Sequence, residues 1–236
     1  MSRESRPGAV LDNPVWAALG GPHRGFAETG PAGLAARYPA GVSPFAALAD
    51  PEDPRAWADL AALAGPGQEV WVTGLSPTPP AGWETLMSIP GVQLDGSAVR
   101  GKEEPEAVLL GPADVPEMLE LVALTRPGPF GERTVELGTY LGIRRGGRLV
   151  AMAGERMRPP GWSEISAVCT HPGHRGEGLA GRLIRAVAAA VEERGDTPFL
   201  HAAAENTAAV GLYLSMGFTL RREPFFVGLR TPDTKA

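Results

Sequence analysis

Cysteine is nearly absent from this chain of 236 residues; Cys169 is the only one. A lone cysteine excludes an internal disulfide and a cysteine-rich metal cluster, and it accords with a reducing compartment. Lysine is almost as scarce, occurring only at positions 102 and 235, and the formal net charge is −5. With no basic block, a nucleic-acid partner is not expected. Long hydrophobic runs are missing too, far short of the ~20 residues that span a bilayer. The opening MSRESRPGAV carries arginines but no apolar core of a secretory leader. These absences point to a soluble cytoplasmic protein with no membrane partner and no metal. They do not reveal its oligomeric state.

What is present is an ordinary globular balance, 43% hydrophobic and 21% charged, with 31 glycines and 24 prolines. At this length roughly 70% of the unfolded surface can be buried, so no staple is needed. Residues 1–100 are rich in Pro, Gly and Ala. They predict a short helix at Val15–Leu19, a helix at Pro54–Ala64 stopped by Gly65-Pro66, a strand at Glu69–Thr73 and a short helix at Trp83–Ile89 closed by Pro90-Gly91. GKEEPE, 101–106, reads as a charged break between this region and a second one spanning 105–230.

That second region has clearer punctuation. AVLL at 107–110 is a short strand, followed by a helix to about Thr125 and a loop, RPGPFGERT. Tyr140–Arg144 and Leu149–Arg156 flank Gly146-Gly147 as a hairpin. Trp162–Thr170 is a strand. Leu179, Leu183, Val187 and Val191 recur at helical spacing over 179–194. Phe199–Ala203 is a strand, Asn206–Met216 a helix ended by Gly217, and two short strands close the chain. The pattern predicts an α/β fold, a mixed β-sheet flanked by helices, with an N-terminal α/β extension.

HRGEGLAG, 174–181, carries the first chemical signal. Gly176, Gly178 and Gly181 spell G-x-G-x-x-G, as in dinucleotide-binding folds. Those folds need the glycines directly after the first strand of a long α/β domain. Here five residues, His171 to Arg175, intervene, and only about 55 residues follow. The alternative is a loop that feeds a helix N-terminus, where unpaired N–H groups and the helix dipole accept a pyrophosphate.

The wider context favours the second reading. V-x-T-x-P-x-x-R-G-x-G-x-A in EISAVCTHPGHRGEGLAGRLIRAV (164–187) precedes E-N-x-x-A-x-x-L-Y-x-x-x-G-F in AAENTAAVGLYLSMGF (203–218). Together these motifs resemble the GCN5-related N-acetyltransferase (GNAT) superfamily, and within it the FR47-like branch. The resemblance covers about 105–230. It implies the GNAT acyl-CoA acyltransferase fold, acetyl-CoA as acyl donor, and a small-molecule or protein amine as acceptor.

The resemblance also implies roles for individual residues. The backbone of Val168 and Thr170 would pair with the pantetheine arm. Arg175, Gly176, Gly178, Leu179, Ala180 and Gly181 would cradle the pyrophosphate. Asn206 would contact pantetheine, and Tyr213 would protonate the leaving thiolate. Strict strand alternation puts Glu164 on one face with Ser166, Val168 and Thr170, making it a candidate base with a raised pKa; Glu155 is a second candidate. Cys169 reads as a core residue rather than a nucleophile, and His201 as structural. The loop 126–140, with Phe130 and Tyr140, is where the family builds its acceptor pocket. The competing function is an acyl-CoA-binding or sensing domain without turnover. The role of residues 1–100, as a diverged half-domain or a substrate lid, stays open.

Overall fold

The computed structural model describes residues 8–74 and 78–233. Most of the opening stretch judged for a leader, and Lys235, lie outside them. In chain order the regular elements are α1 (Pro14–Leu19), β1 (Glu28–Thr29), β2 (Ala35–Arg37), β3 (Ala46–Leu48), α2 (Pro54–Ala64), β4 (Glu69–Gly74), β5 (Glu84–Asp95), β6 (Val108–Leu110), α3 (Val115–Thr125), β7 (Tyr140–Arg145), β8 (Arg148–Glu155), β9 (Trp162–Thr170), α4 (Leu179–Glu193), β10 (Thr197–Ala203), α5 (Thr207–Ser215), β11 (Thr219–Arg222) and β12 (Phe225–Arg230). Among the described residues no helix is long and apolar enough to cross a membrane.

A nine-stranded sheet, ordered β4-β12-β5-β10-β9-β8-β7-β6 with β11 also on β5, forms the frame. β9 and β10 run parallel, whereas their neighbours in the sheet pair antiparallel. This is the expected mixed sheet, and it lacks the run of parallel strands a doubly wound dinucleotide fold needs. The amphipathic helix α4 buries Leu183, Ile184, Val187 and Val191 on one face of the sheet, against Leu94, Ile143, Ile165 and Leu200. α3 closes the β6–β9 end through Met118 and Leu121.

The expected helix at Trp83–Ile89 is instead the first half of β5. Pro90-Gly91 does not stop the element; it marks a change of partner. Residues before it pair with β12, and residues after it lie between β10 and β11. Proline cannot donate to a ladder, so it sits where the ladder changes. Gly91 is required by close approach, because a Cβ there would meet the Phe226 ring at 2.6 Å.

The sheet also runs across the expected break at 101–106. β4 and β5 precede that stretch, yet they lie in the same sheet as β6–β12. GKEEPE is tied down: the Lys102 N–H bonds the Arg185 carbonyl at 3.0 Å, and Glu104 and Glu106 both accept from Arg182. The rest of the N-terminal region forms a small β1-β2-β3 sheet with α1 and α2. It covers the face opposite α4, where Tyr38, Val42 and Phe45 pack with Phe199. An isolated bridge from Phe45 to Trp71 joins it to β4.

Candidate active site

The parallel ladder between β9 and β10 runs from Thr197↔Trp162 only to Leu200↔Ile165. β9 continues to Thr170 and β10 to Ala203, so the two strands diverge and leave a gap. The His171 N–H bonds the Val150 carbonyl at 2.7 Å. In an antiparallel ladder the groups then alternate, so Val168 and Thr170 turn their amides away from β8 and into the gap. The hydroxyl of Thr170 is buried and has no hydrogen-bond partner among the described residues. The expected pantetheine-binding residues therefore present an open strand edge.

Beyond β9, the chain passes Arg175 and enters α4 through the glycines. Gly176 and Gly178 have φ of +84° and +72°, a conformation that favours glycine, and Gly178 is the N-cap. The backbone N–H groups of residues 176–181 have no hydrogen-bond partner among the described residues; the first bond into the helix is Arg182 N–H to the Gly178 carbonyl, 3.1 Å. Gly176, Gly178, Leu179, Ala180 and Gly181 thus offer a run of free donors at the positive end of a 15-residue helix.

Two cavities meet at the gap. A smaller one of about 210 Å³ holds Thr170, Arg175, Ala180 and Asn206 in its wall. A larger one of about 350 Å³ extends toward Phe45, Trp71, Arg156, His201 and Phe226. Val168, Asn206, Ala209 and Tyr213 belong to both walls and define the junction. Asn206 caps α5 by accepting the Ala209 N–H at 3.2 Å, which leaves its amide NH₂ to donate elsewhere. Tyr213 lies two turns along α5, on the same side. It is buried, and burial pushes its phenol up to about 12. At neutral pH it is a proton donor.

Glu164 is not where alternation put it, and its pKa is shifted the other way. Ala167 has φ +52°, and the β8–β9 register slips between Met152 and Gly154. One extra residue in β9 reverses the faces beyond it. Ile165 and Val168 consequently share the α4 side. Glu164 faces the N-terminal cover, fully buried, outside the wall of the larger cavity. Arg156 binds its carboxylate through Nε at 2.8 Å and Nη2 at 2.6 Å, and His201 Nδ1 lies 2.7 Å away. Burial alone would raise this carboxyl, but the Arg156 charge and these hydrogen bonds outweigh it and hold the group down to about 2. The raised pKa expected of a base at this position is therefore corrected. Glu155 is likewise buried, accepting from Ser163, Arg194 and the Thr139 N–H, and is absent from the cavity wall.

The Glu164 carboxylate only accepts, so His201 Nδ1 carries a proton. On the other side of the ring, Gln93 Nε2 lies 3.0 Å from His201 Nε2, while Gln93 Oε1 accepts from Arg221 at 2.7 Å. The result is a buried chain from Arg221 through Gln93, His201 and Glu164 to Arg156. Sequence reading missed Arg156, and it took His201 for structure alone although it lines the cavity. The available signal was the charged pair Glu155-Arg156 ending the apolar run LVAMAG. The 126–140 loop enters the cavity through Arg126 to Pro129. Phe130 instead stacks edge-on against Tyr140, which is buried in the α3 core. Cys169 is buried there too, and burial pushes its thiol up to about 11, so it is no nucleophile at neutral pH.

Comparison with known proteins adds to this geometry. A family model described as FR47-like protein matches residues 140–227. A crystal structure from Novosphingobium aromaticivorans, assigned by its description to the GNAT acetyltransferases, is 42% identical, with 93% of this chain and 97% of that one covered at a TM-score of 0.85. A GCN5-related N-acetyltransferase from Kribbella flavida is 19% identical, covering 92% and 94% of the two chains at a TM-score of 0.59, a likeness of fold. The N-alpha-acetyltransferase RimI of Mycobacterium tuberculosis is 37% identical over 82 residues, 34% of this chain. That match spans about half of the curated relative, 51% of its length.

Proposed function

The chain belongs to the GNAT acetyltransferase family, in its FR47-like branch, and from that premise we propose that it moves an acetyl group from acetyl-CoA to a primary amine by direct attack while both substrates are bound. The observation that carries this reading is the gap between β9 and β10. It joins a cavity ending at free helix N–H groups to a second, larger cavity, with Tyr213 at the junction. One side suits the cofactor arm and its pyrophosphate; the other suits the acceptor. The name of the mycobacterial relative, an N-alpha-acetyltransferase, agrees with an amine acceptor. The scarcity of cysteine and the absence of a crossing helix among the described residues suit a cytoplasmic setting.

In this reading Val168 and Thr170 hold pantetheine as an added strand, Asn206 donates to it, and Arg175 with the N–H groups of Gly176 to Gly181 holds the pyrophosphate. The amine attacks the thioester carbon. The N–C bond forms, the C–S bond breaks, and the Val168 N–H donates to the transient oxyanion. Tyr213 gives its proton to the departing thiolate, which suits a phenol that burial keeps protonated. The proton lost by the amine goes to Glu205, the carboxylate in the wall of the larger cavity, directly or through water. Glu164 orients Arg156 and His201 rather than taking that proton.

Release of CoA from acetyl-CoA across a panel of amines tests the reading. Tyr213→Phe should lower kcat about 100-fold, in the usual range for loss of a general acid, with acetyl-CoA affinity kept. Tight acetyl-CoA binding with no CoA release for any amine would replace the enzyme with an acyl-CoA-sensing domain.

A further inference from the structure

The larger cavity contains a feature that acetyl transfer alone does not use. The Arg156 side chain is 9% exposed, yet it lines the cavity wall. Its Nε and one Nη2 hydrogen bind Glu164. A guanidinium has five N–H donors. The remaining Nη2 hydrogen and both Nη1 hydrogens have no hydrogen-bond partner among the described residues. The guanidinium carbon lies 5.0 Å from the Phe45 ring centroid, so stacking and the bidentate pair hold the group in place. Around it the wall is apolar, with Phe45, Trp71, Ile89 and Phe226. A fixed, nine-tenths-buried cation whose free donors face a largely apolar cavity is placed to bind a ligand oxygen.

We propose that the acceptor is an α-amino acid or its carbonyl derivative: an amine whose neighbouring carbon bears a carboxylate or amide oxygen that Arg156 binds, with an apolar side chain against Phe45, Trp71 and Phe226. Tyr213 and Arg156 share one cavity of about 350 Å³, the size of a small molecule, so amine and oxygen belong to a single compact substrate. The pair with Glu164 leaves the site electrically balanced before the ligand arrives. A neutral amide carbonyl then needs no further charge, while a carboxylate would add its own charge beside the Arg156 guanidinium. A free amino acid and the first residue of a peptide present the same oxygen to Arg156. This inference rests on the acetyl-transfer reading for where the amine is directed; the pocket's preference for the oxygen is separate from turnover.

The test is calorimetric titration of the full chain, with CoA present, using phenylalanine, phenylalaninamide and phenethylamine. A site built to bond an oxygen rejects the analogue lacking it strongly, so at least one oxygen-bearing ligand should bind about 100-fold tighter than phenethylamine or better. Preference for phenylalanine identifies a free acid; binding of phenylalaninamide equal to or tighter than phenylalanine identifies the first residue of a peptide. The paired variant R156M with E164Q removes both charges together and leaves no orphaned ion. It should keep a cooperative thermal transition and lose the discrimination to about threefold or less. Equal affinity for all three ligands, or no binding by any, overturns the inference. Selective binding without CoA release would instead sink acetyl transfer and leave the Arg156 site standing. CoA release at equal kcat/KM across the series would do the reverse.

Discussion

Arg156, Glu164 and Tyr213 show how much a single side chain depends on what packs around it. Tyr213 and Asn206 were legible in the sequence because one helix carries both, and helical spacing fixes their common side. Glu164 was not, because its environment is built from separate segments: Arg156 just past the end of β8, His201 on β10 and the N-terminal cover. Two predictions belong here. Glu164→Gln leaves Arg156 buried with its charge uncompensated, and should destabilise the fold by about 3–5 kcal/mol in denaturant titration. The wild-type group has a folded pKa of about 2, below its ordinary value near 4.5. Its stabilisation is therefore complete above about pH 4.5 and is lost as pH falls toward 2. The Glu164→Gln variant should show a flatter stability profile across that window. Glu205→Gln, by contrast, should lower kcat at least about tenfold with little change in stability, since its carboxylate is exposed and its proposed role lies in the reaction alone.

At the scale of elements, glycine and proline were informative where they end or open a helix and misleading where they sit in a strand. The α4 start was readable because Gly176 and Gly178 precede a long run of apolar residues at helical spacing. In β5, Pro90-Gly91 imitated a stop, and the first half of the strand is largely exposed, so no alternation of burial revealed it. The bulge at Ala167 was invisible for a related reason. Alanine is an unusual residue at positive φ, and only the register of β8 against β9 discloses the extra residue. The glycine loop yields a prediction at this scale. Nothing lies within 4 Å of a Cβ built on Gly176 or Gly178. Valine at either position has room for its Cβ, but it would strain the backbone by about 1–2 kcal/mol and crowd the free N–H groups. KM for acetyl-CoA should rise at least about tenfold, with only a modest drop in the melting temperature.

Taken as a whole, the molecule ties its first hundred residues to the rest more closely than composition suggested. The C-terminal motifs carried the expectation for the acyl-CoA side of the site, because local spacing defines them. The acceptor side was hidden, because Phe45, Trp71 and Ile89 come from segments without a chemical motif and meet Arg156, His201 and Phe226 only through folding. A chain reduced to residues 105–236 would lose β5, which separates β12 from β10, and the cover over Phe199. It should fail to unfold cooperatively by circular dichroism. The N-terminal cover also sets a pH limit through His23. Burial, with the nearby Arg158 charge, pulls that imidazole down to about 4. Stability tied to the neutral ring is full above pH 6.5 and declines as pH falls to about 4.

Thermal unfolding of the full chain with acetyl-CoA or NAD, each at about 1 mM, addresses the central claim, that the β9–β10 gap and the glycine loop hold an acyl-CoA. A ligand at 100 times its dissociation constant adds about 2.7 kcal/mol of stability. The account predicts a clear rise in the transition with acetyl-CoA, none with NAD, and loss of the rise in Gly178→Val. A rise with NAD alone, or an acetyl-CoA effect untouched by Gly178→Val, would contradict it.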